Sequence, residues 1–160
     1  MPYTIFIDGS AGTTGLRILE RLQRRAADEP LTVRTLTGED RKDPDARAAA
    51  INASDAAILC LPDAAAREIL PRIRPEVRVL DTSTAHRTAP GWVYGLPELH
   101  GARAALAEAR RVAVPGCHAT GFITLAAPLV ETGLLPADAA LTCTSLTGYS
   151  GGGKSMIADY

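Results

Sequence analysis

Cysteines, aromatic residues and long apolar segments are all scarce in this chain of 160 residues. It has three cysteines, and 4% of its residues are aromatic. An odd number of cysteines, and a start (residues 1–8) without a basic segment, predict free thiols in the cytoplasm, not a secreted disulfide framework. No apolar run reaches the roughly 18 residues that a membrane span requires. A net charge of −1 argues against nucleic acid or a membrane surface as a partner.

The chain is nevertheless apolar enough for a folded core, with 46% hydrophobic residues and a mean hydropathy of +0.04. Short β-prone segments alternate with helical ones, which predicts an α/β fold with a doubly wound parallel sheet of the Rossmann type. Strands are predicted at residues 3–8, 31–36, 56–61, 77–81 and 112–114, and helices at residues 14–27, 45–51 and 64–73.

We assign residues 1–115 to this dinucleotide-binding domain and residues 116–160 to the start of a second, α+β catalytic domain. Its predicted elements are a helix that runs to residue 130 and a strand at residues 141–146. A glycine-rich loop follows only a few residues before the end. We therefore expect the chain to be truncated within the second domain.

A glycine-rich turn between the first strand and the first helix predicts a dinucleotide site. The pattern is G-x-x-G-x-x-G, in which glycines allow close backbone approach and the helix N-terminus attracts a pyrophosphate. A turn with glycines for steric reasons alone is the alternative. The residues predicted to contact the cofactor here are Gly9, Ser10, Ala11, Gly12, Thr13, Thr14 and Gly15.

The choice of cofactor depends on the end of the second strand, which carries no acidic residue to bind a ribose hydroxyl. Arg41 and Lys42 follow shortly after and could hold a 2′-phosphate, so NADP is favoured over NAD. A solvated charged turn is the alternative for both residues. Pro62, after the third strand, is a further predicted cofactor contact.

Cys117 is the predicted nucleophile. It follows a Pro-Gly turn and opens a helix, and a helix N-terminus favours the reactive thiolate. A structural thiol is the alternative, and it is the interpretation we give to Cys60 and Cys143, which we expect in buried strands.

Polar residues in nearby loops are candidate substrate contacts. Arg87 could hold an anion bidentately, with a loop salt bridge as the alternative. Glu98 and His118 are weaker candidates. His118 is a poor partner for the neighbouring sulfur, and His86 and His100 are expected to be surface or packing residues. No metal site is predicted.

A second nucleotide motif occurs near the end of the chain. Residues 148–155 (GYSGGGKS) match the phosphate loop of nucleotide triphosphatases, G-x-x-x-x-G-K-[ST]. Only five residues follow, without a later strand for a magnesium-binding acid. A nucleotide-hydrolysing domain is therefore the disfavoured alternative.

Taken together, these segments resemble the short (type 2) N-acetyl-gamma-glutamyl-phosphate reductases of arginine biosynthesis. The resemblance covers the whole chain and rests on six segments in family order: residues 7–15, 59–63, 81–87, 94–99, 115–121 and 148–154. The glycine loop alone is shared with aspartate-semialdehyde dehydrogenase, which is the alternative family. A nucleotide-binding fragment without activity is a further alternative.

The resemblance implies NADPH-dependent reduction of N-acetylglutamyl 5-phosphate to the 5-semialdehyde, with release of phosphate. It implies that Cys117 is the nucleophile and that Ser150 and Gly151 lie in a loop near the nicotinamide. The family's catalytic histidine matches no position here and is expected beyond residue 160. The family chain is about twice as long, so these 160 residues alone could be inactive. A homo-oligomer is expected for the longer protein.

Overall fold

Six parallel strands form one sheet in the computed structural model, which describes residues 2–148 of the chain. Their order across the sheet is β2-β1-β3-β4-β6-β5. The strands are β1 (Tyr3–Asp8), β2 (Leu31–Arg34), β3 (Ala56–Leu59), β4 (Arg78–Asp81), β5 (Val93–Tyr94) and β6 (Arg111–Ala113).

Helices join the first four strands, as parallel neighbours require. Two 3₁₀ turns, Gly38–Arg41 and Leu70–Arg72, accompany them. The α-helices of the described residues are α1 (Thr13–Arg25), α2 (Pro44–Asn52), α3 (Asp63–Ile69), α4 (Ala102–Glu108) and α5 (Cys117–Glu131).

The main apolar core lies between the sheet and helices α2 and α3. The chain moves in one direction along the sheet through α1 and in the opposite direction through α2 and α3. Right-handed crossovers therefore place α1 on one face and the other two helices on the other. Burial of both faces explains why β3 is apolar throughout. The core residues are Phe6, Ile51, Ala57, Leu59, Ile69, Ile73, Val77 and Val79.

The direction of winding reverses between the adjacent strands β1 and β3. In open α/β sheets, ligands bind in the crevice that this reversal opens at the carboxyl ends of the strands. Gly9 follows β1 and the turn before Cys117 follows β6, so both lie at this edge. The predicted doubly wound sheet, with Gly12 and Cys117 at the same edge, is confirmed.

Three elements differ from the sequence prediction. Strand β5 and helix α4 were not predicted, because two- and seven-residue elements carry too little periodicity. The predicted strand at residues 141–146 is wrong. That segment is exposed and pairs with no strand among the described residues. Alternating apolar residues form a strand only where a partner satisfies their backbone groups.

Helix α5 has no buried residue, like the shorter α4, and several of its large apolar side chains are exposed. Phe122, Leu125 and Leu129 are 40%, 75% and 45% exposed. These residues lie in the segment that the sequence assigned to a second domain, and that boundary stays a prediction. No helix in the described part of the chain is long and apolar enough to cross a membrane.

Candidate active site

The turn between β1 and α1 is closed by contacts between backbone atoms. Gly9 has φ +81°, and a Cβ there would lie 2.2 Å from the carbonyl oxygen of Cys60. A Cβ on Gly15 would lie 2.3 Å from the carbonyl oxygen of Gly9. At Gly12, which caps α1, a Cβ would meet its nearest neighbour at an ordinary 3.5 Å. Two of the glycines are therefore required by packing, and the third leaves the helix N-terminus open to a ligand.

A cavity of about 150 Å³ lies beside this turn and brings together residues that the sequence associated with the cofactor. Arg41 and Lys42 line it from the 3₁₀ turn after β2. Lys42 also forms an exposed ion pair with Glu39 at 3.4 Å. The other lining residues are Phe6, Ile7, Asp8, Gly9, Ser10, Ala11, Leu36 and Leu61.

These residues fit a dinucleotide. The N-terminus of α1 offers backbone N–H groups to a pyrophosphate, and two cations lie on the β2 side of the same cavity. Pro62 is exposed and caps α3, directly after Leu61 of the cavity wall. Ser150 and Gly151 lie outside the described residues.

A buried ion pair, which the sequence did not predict, fixes the start of the glycine turn. Asp8 and Arg47 are 4% and 7% exposed. The Nη2 and Nε groups of Arg47 donate to Oδ2 of Asp8 at 2.9 and 3.0 Å. Asp8 directly precedes Gly9, so α2 holds the turn in place. No local signal distinguishes Arg47 from the exposed arginines of the chain.

Cys60 follows β3 at the same edge and is half-buried, so the prediction that it lies in a buried strand is wrong. Burial raises the pKa of its thiol to about 11, a hydrogen bond with Thr82 opposes the rise, and the carboxylates of Asp8 and Asp81 add to it. A raised pKa disfavours the thiolate, and the inertness of Cys60 stays a prediction that alkylation can test.

The loop after β4 is built around a buried carboxylate. Asp81 is fully buried and accepts hydrogen bonds from the backbone N–H and the hydroxyl of Ser83, at 3.0 and 2.6 Å. His86 Nδ1 lies 2.6 Å from Asp81 Oδ2, and the ring stacks on Trp92. His86 is thus a packing residue, one of the two roles expected for it, whereas His100 is exposed.

Further along this loop, Thr84 ties the chain to α3. Its hydroxyl donates to Asp63 and lowers the pKa of that carboxyl, with help from the backbone N–H of Thr84 at 2.9 Å.

Arg87 connects the loop to the turn that precedes Cys117. Its Nε donates to the carbonyl oxygen of Val114 at 3.1 Å, and Nη2 donates to that of Thr82 at 3.4 Å. A Cβ on Gly116 would lie 2.8 Å from Nη1. The salt bridge considered as an alternative is absent, since no carboxylate among the described residues lies within 4.0 Å of this guanidinium.

Cys117 is exposed at the first position of α5, after the capping residue Gly116. The helix start is well formed, because both the backbone N–H and the hydroxyl of Thr120 donate to the carbonyl oxygen of Gly116 at 2.9 Å. No side chain caps the helix. Its first-turn N–H groups are therefore directed at the region of the thiol.

An open groove of about 490 Å³ runs past Cys117 and is closed on one side by the segment after α5. His118 Nδ1 forms a hydrogen bond with the hydroxyl of Ser145. The prediction that Cys143 lies in a buried strand is wrong. It is exposed and lines this groove, because its segment pairs with no described strand.

Glu98 lies apart from Cys117. It lines a separate cavity of about 220 Å³ together with Ile123 and Glu131 of α5. Ile123 is six residues along the helix from Cys117, or about 9 Å at 1.5 Å per residue. Among the described residues, no group of three His, Cys, Asp or Glu side chains is arranged to hold a metal ion.

Residues 4–109 match the family model for the NAD-binding domain of semialdehyde dehydrogenases. Curated relatives include N-acetyl-gamma-glutamyl-phosphate reductase 2 of Pseudomonas putida, 54% identical over 96% of this chain and 49% of the relative. The N-acetyl-gamma-glutamyl-phosphate reductase of Chelativorans sp. is 54% identical over 100% of this chain and 51% of the relative. The chain spans about half the length of these relatives.

Solved structures show the same fold. Aspartate semialdehyde dehydrogenase II from Vibrio cholerae superposes with a TM-score of 0.64 at 20% identity, over 99% of this chain and 50% of that one. The Francisella tularensis aspartate semialdehyde dehydrogenase gives 0.60 at 14% identity, over 82% of this chain and 41% of that one. With the glycine turn, the sheet order and the matched residues in agreement, the chain belongs to the semialdehyde dehydrogenase family through its NAD-binding domain.

Proposed function

We propose that the protein containing this chain reduces N-acetylglutamyl 5-phosphate to the 5-semialdehyde, with NADPH as reductant and phosphate as the second product. The observation that carries the proposal is the position of Cys117, exposed at the start of α5 on the sheet edge that also bears the glycine turn. The choice of substrate is supported by the names of two relatives that are 54% identical to this chain over about half of their own length.

The chemistry begins at the Cys117 sulfur. Its thiolate attacks the acyl carbon of the substrate, and the bond from that carbon to the phosphate oxygen breaks. Phosphate leaves with the electron pair, so the acyl group remains on Cys117 as a thioester. A nicotinamide cofactor held at the glycine turn would supply the hydride that reduces this thioester. The resulting thiohemiacetal then releases the aldehyde and restores the thiolate for the next turnover.

Arg87 is the residue best suited to the anionic end of the substrate. It packs against Gly116, next to the nucleophile, and carries a positive charge that no described carboxylate neutralises by direct contact. Charge-assisted hydrogen bonds from a guanidinium to phosphate are strong and directional. His118 lies in the groove with Cys117 and is the second candidate contact. Glu98 remains a weaker candidate because it lines a different cavity.

NADP is the proposed form of the cofactor. Arg41 and Lys42 would hold the 2′-phosphate, and the glycine turn would hold the pyrophosphate at the N-terminus of α1. Pro62, Ser150 and Gly151 complete the proposed cofactor contacts. The division into domains at residue 115, the cytoplasmic location and the homo-oligomer are further parts of this proposal.

The test is Cys117→Ser in the full-length protein, with Cys143→Ser as the matched control in the same groove. A hydroxyl is a far poorer nucleophile than a thiolate without a base to activate it, so we expect Cys117→Ser to lose turnover by about a hundredfold or more. NADPH binding should persist in both variants, and Cys143→Ser should keep its turnover. Near-normal reduction by Cys117→Ser would refute the covalent mechanism.

Substrate choice and chain length separate the remaining alternatives. Preference for aspartyl phosphate over the N-acetylglutamyl substrate would assign the protein to the aspartate-semialdehyde type. NADPH binding without turnover in the 160-residue chain, beside an active longer protein, would identify this chain as a cofactor-binding part.

A further inference from the structure

A buried histidine behind the Cys117 turn has no role in the chemistry described so far. His86 is 6% exposed, and its Nδ1 lies 2.6 Å from Oδ2 of the fully buried Asp81. A carboxylate only accepts, so Nδ1 carries the proton and donates it. On the other side, the ring stacks on Trp92 with centroids 4.3 Å apart and planes 8° apart. The imidazole is therefore held on its edge by a charge and on its face by an aromatic ring.

Arg87, the residue after His86, contacts the turn that precedes Cys117. Arg87 donates to the carbonyl oxygens of Val114 and Thr82, and its guanidinium packs against Gly116. A long side chain loses rotamer freedom when it is held in one place, and that loss opposes binding. Fixing the backbone at His86 reduces the number of arrangements open to Arg87. The contacts thus run without a gap from Asp81 through His86 and Arg87 to the residue before Cys117.

We propose that His86 is a positioning residue that acts through Arg87 to fix the turn that presents Cys117. This inference rests on the proposed function, because it takes Cys117 as the reacting group. In it, Asp81 and Trp92 hold the imidazole, the imidazole holds the loop, and Arg87 holds the carbonyl of Val114 and the backbone of Gly116. These contacts keep Cys117 at the first position of α5, where its side chain is exposed at the carboxyl edge of the sheet.

The readout is the rate at which iodoacetamide alkylates Cys117 in the full-length protein at neutral pH, followed by peptide mapping. Iodoacetamide is uncharged, so the rate does not depend on anion binding by Arg87. His86→Phe keeps an aromatic ring beside Trp92 but removes the donor to Asp81. His86→Asn removes the ring but keeps a donor near the position of Nδ1. We expect His86→Phe to slow alkylation by about threefold to tenfold, since a turn that is no longer held presents the thiol to the reagent in fewer of its conformations. His86→Asn should recover part of the rate.

A double-mutant test with Arg87 distinguishes a positioning role of His86 from a general loss of stability. In an Arg87→Met background, His86→Phe and His86→Asn should have no further effect on alkylation, because the residue through which they act is gone. Ile51→Val, on the core-facing side of α2, is the control for general destabilisation and should leave the rate unchanged. Trp92 is the chain's single tryptophan, so its emission reports whether the stacked pair has been disturbed in each variant.

Wild-type alkylation rates in both His86 variants would overturn the proposal. So would an equal slowing by His86→Asn with and without Arg87, and this second criterion applies even if His86→Phe fails to fold. Failure of the proposed function is seen separately, as reductase activity that survives Cys117→Ser. In that case the alkylation rates still report the geometry of the turn.

Discussion

Two strand-to-helix turns lie at the carboxyl edge of the sheet, the glycine turn between β1 and α1 and the turn between β6 and α5. An arginine holds each of them, but in a different way. Arg47 is 7% exposed and directs its hydrogen bonds to the carboxylate of Asp8, just before the glycine turn. Arg87 is half-buried, and its partners within residues 2–148 are backbone carbonyls beside the turn that carries Cys117. Arg47 is thus neutralised by Asp8, whereas Arg87 forms no ion pair with a carboxylate in the described part of the chain.

The cysteines beside the two turns also differ in exposure, since Cys60 is half-buried and Cys117 is exposed. The backbone of Cys60 packs against Gly9, and burial keeps its thiol protonated. Cys117 projects from the second turn into solvent. In the proposed site, the first turn offers the backbone N–H groups of a helix N-terminus to the cofactor, whereas the second turn exposes the side chain of Cys117. The comparison leads to four predictions, from the largest expected effect to the smallest.

The largest effect should be the difference in reactivity between the two thiols. With a pKa of about 11, the Cys60 thiolate makes up roughly a thousandth of the thiol at pH 8. Alkylation of Cys60 should therefore rise about tenfold per pH unit and level off near pH 11. Cys117 should be labelled first by iodoacetamide at neutral pH, as peptide mapping would show. Labelling of Cys60 ahead of Cys117 would reverse the comparison.

The two arginines should differ in their effect on stability. Arg47→Met leaves Asp8 buried and unpaired, which should cost about 3–5 kcal/mol in the free energy of unfolding. Arg87→Met loses two hydrogen bonds to backbone carbonyl groups. It leaves no buried charge unpaired, so it should lower the free energy of unfolding by about 1–3 kcal/mol. Urea denaturation of the two variants measures both values.

A double variant provides the control for the buried pair. Asp8→Leu combined with Arg47→Leu removes both charges, and it should recover most of the stability lost in Arg47→Met. Equal losses for Arg47→Met and Arg87→Met would show that the two turns are held alike.

The cations beside the first turn should distinguish between cofactors. Replacing Arg41 and Lys42 with alanine should weaken NADPH binding roughly tenfold to a hundredfold and leave NADH binding nearly unchanged, because only NADPH has the 2′-phosphate. Arg24 and Arg25, an adjacent pair at the opposite end of α1, are the matched control and should affect neither. Dissociation constants for both cofactors decide the point, and an equal loss for the two would remove Arg41 and Lys42 from the site.

The smallest effect concerns Gly121 in α5, near the second turn. A Cβ there meets nothing within 4 Å, and alanine is the better helix former. Gly121→Ala should therefore raise the stability by about 0.5–1 kcal/mol, measured by thermal unfolding. Gly9→Ala, at φ +81° and 2.2 Å from the carbonyl oxygen of Cys60, should instead be strongly destabilising. A loss of stability in Gly121→Ala would mean that this part of α5 is covered in the folded protein.

Much of this architecture could be predicted from local patterns. The parallel sheet followed from short apolar segments that alternate with helical ones, and the two turns followed from glycine and proline placed between strand and helix. Local patterns failed where the outcome depended on a distant partner. Residues 141–146 have the composition of a strand, yet they pair with none in the described chain, so Cys143 is exposed and not buried.

By itself, the sequence determined which backbone turns form and where Cys117 sits on its helix, because these properties depend on residues within a few positions of one another. Only the tertiary structure decided that Arg47 is buried against Asp8, that His86 is held between Asp81 and Trp92, and that Arg87 reaches Gly116. Arginine and histidine side chains look the same in the sequence whether they are solvated or buried. Their roles are set by the groups that the fold brings within hydrogen-bonding distance, and the sheet order, not the spacing along the chain, determines those groups.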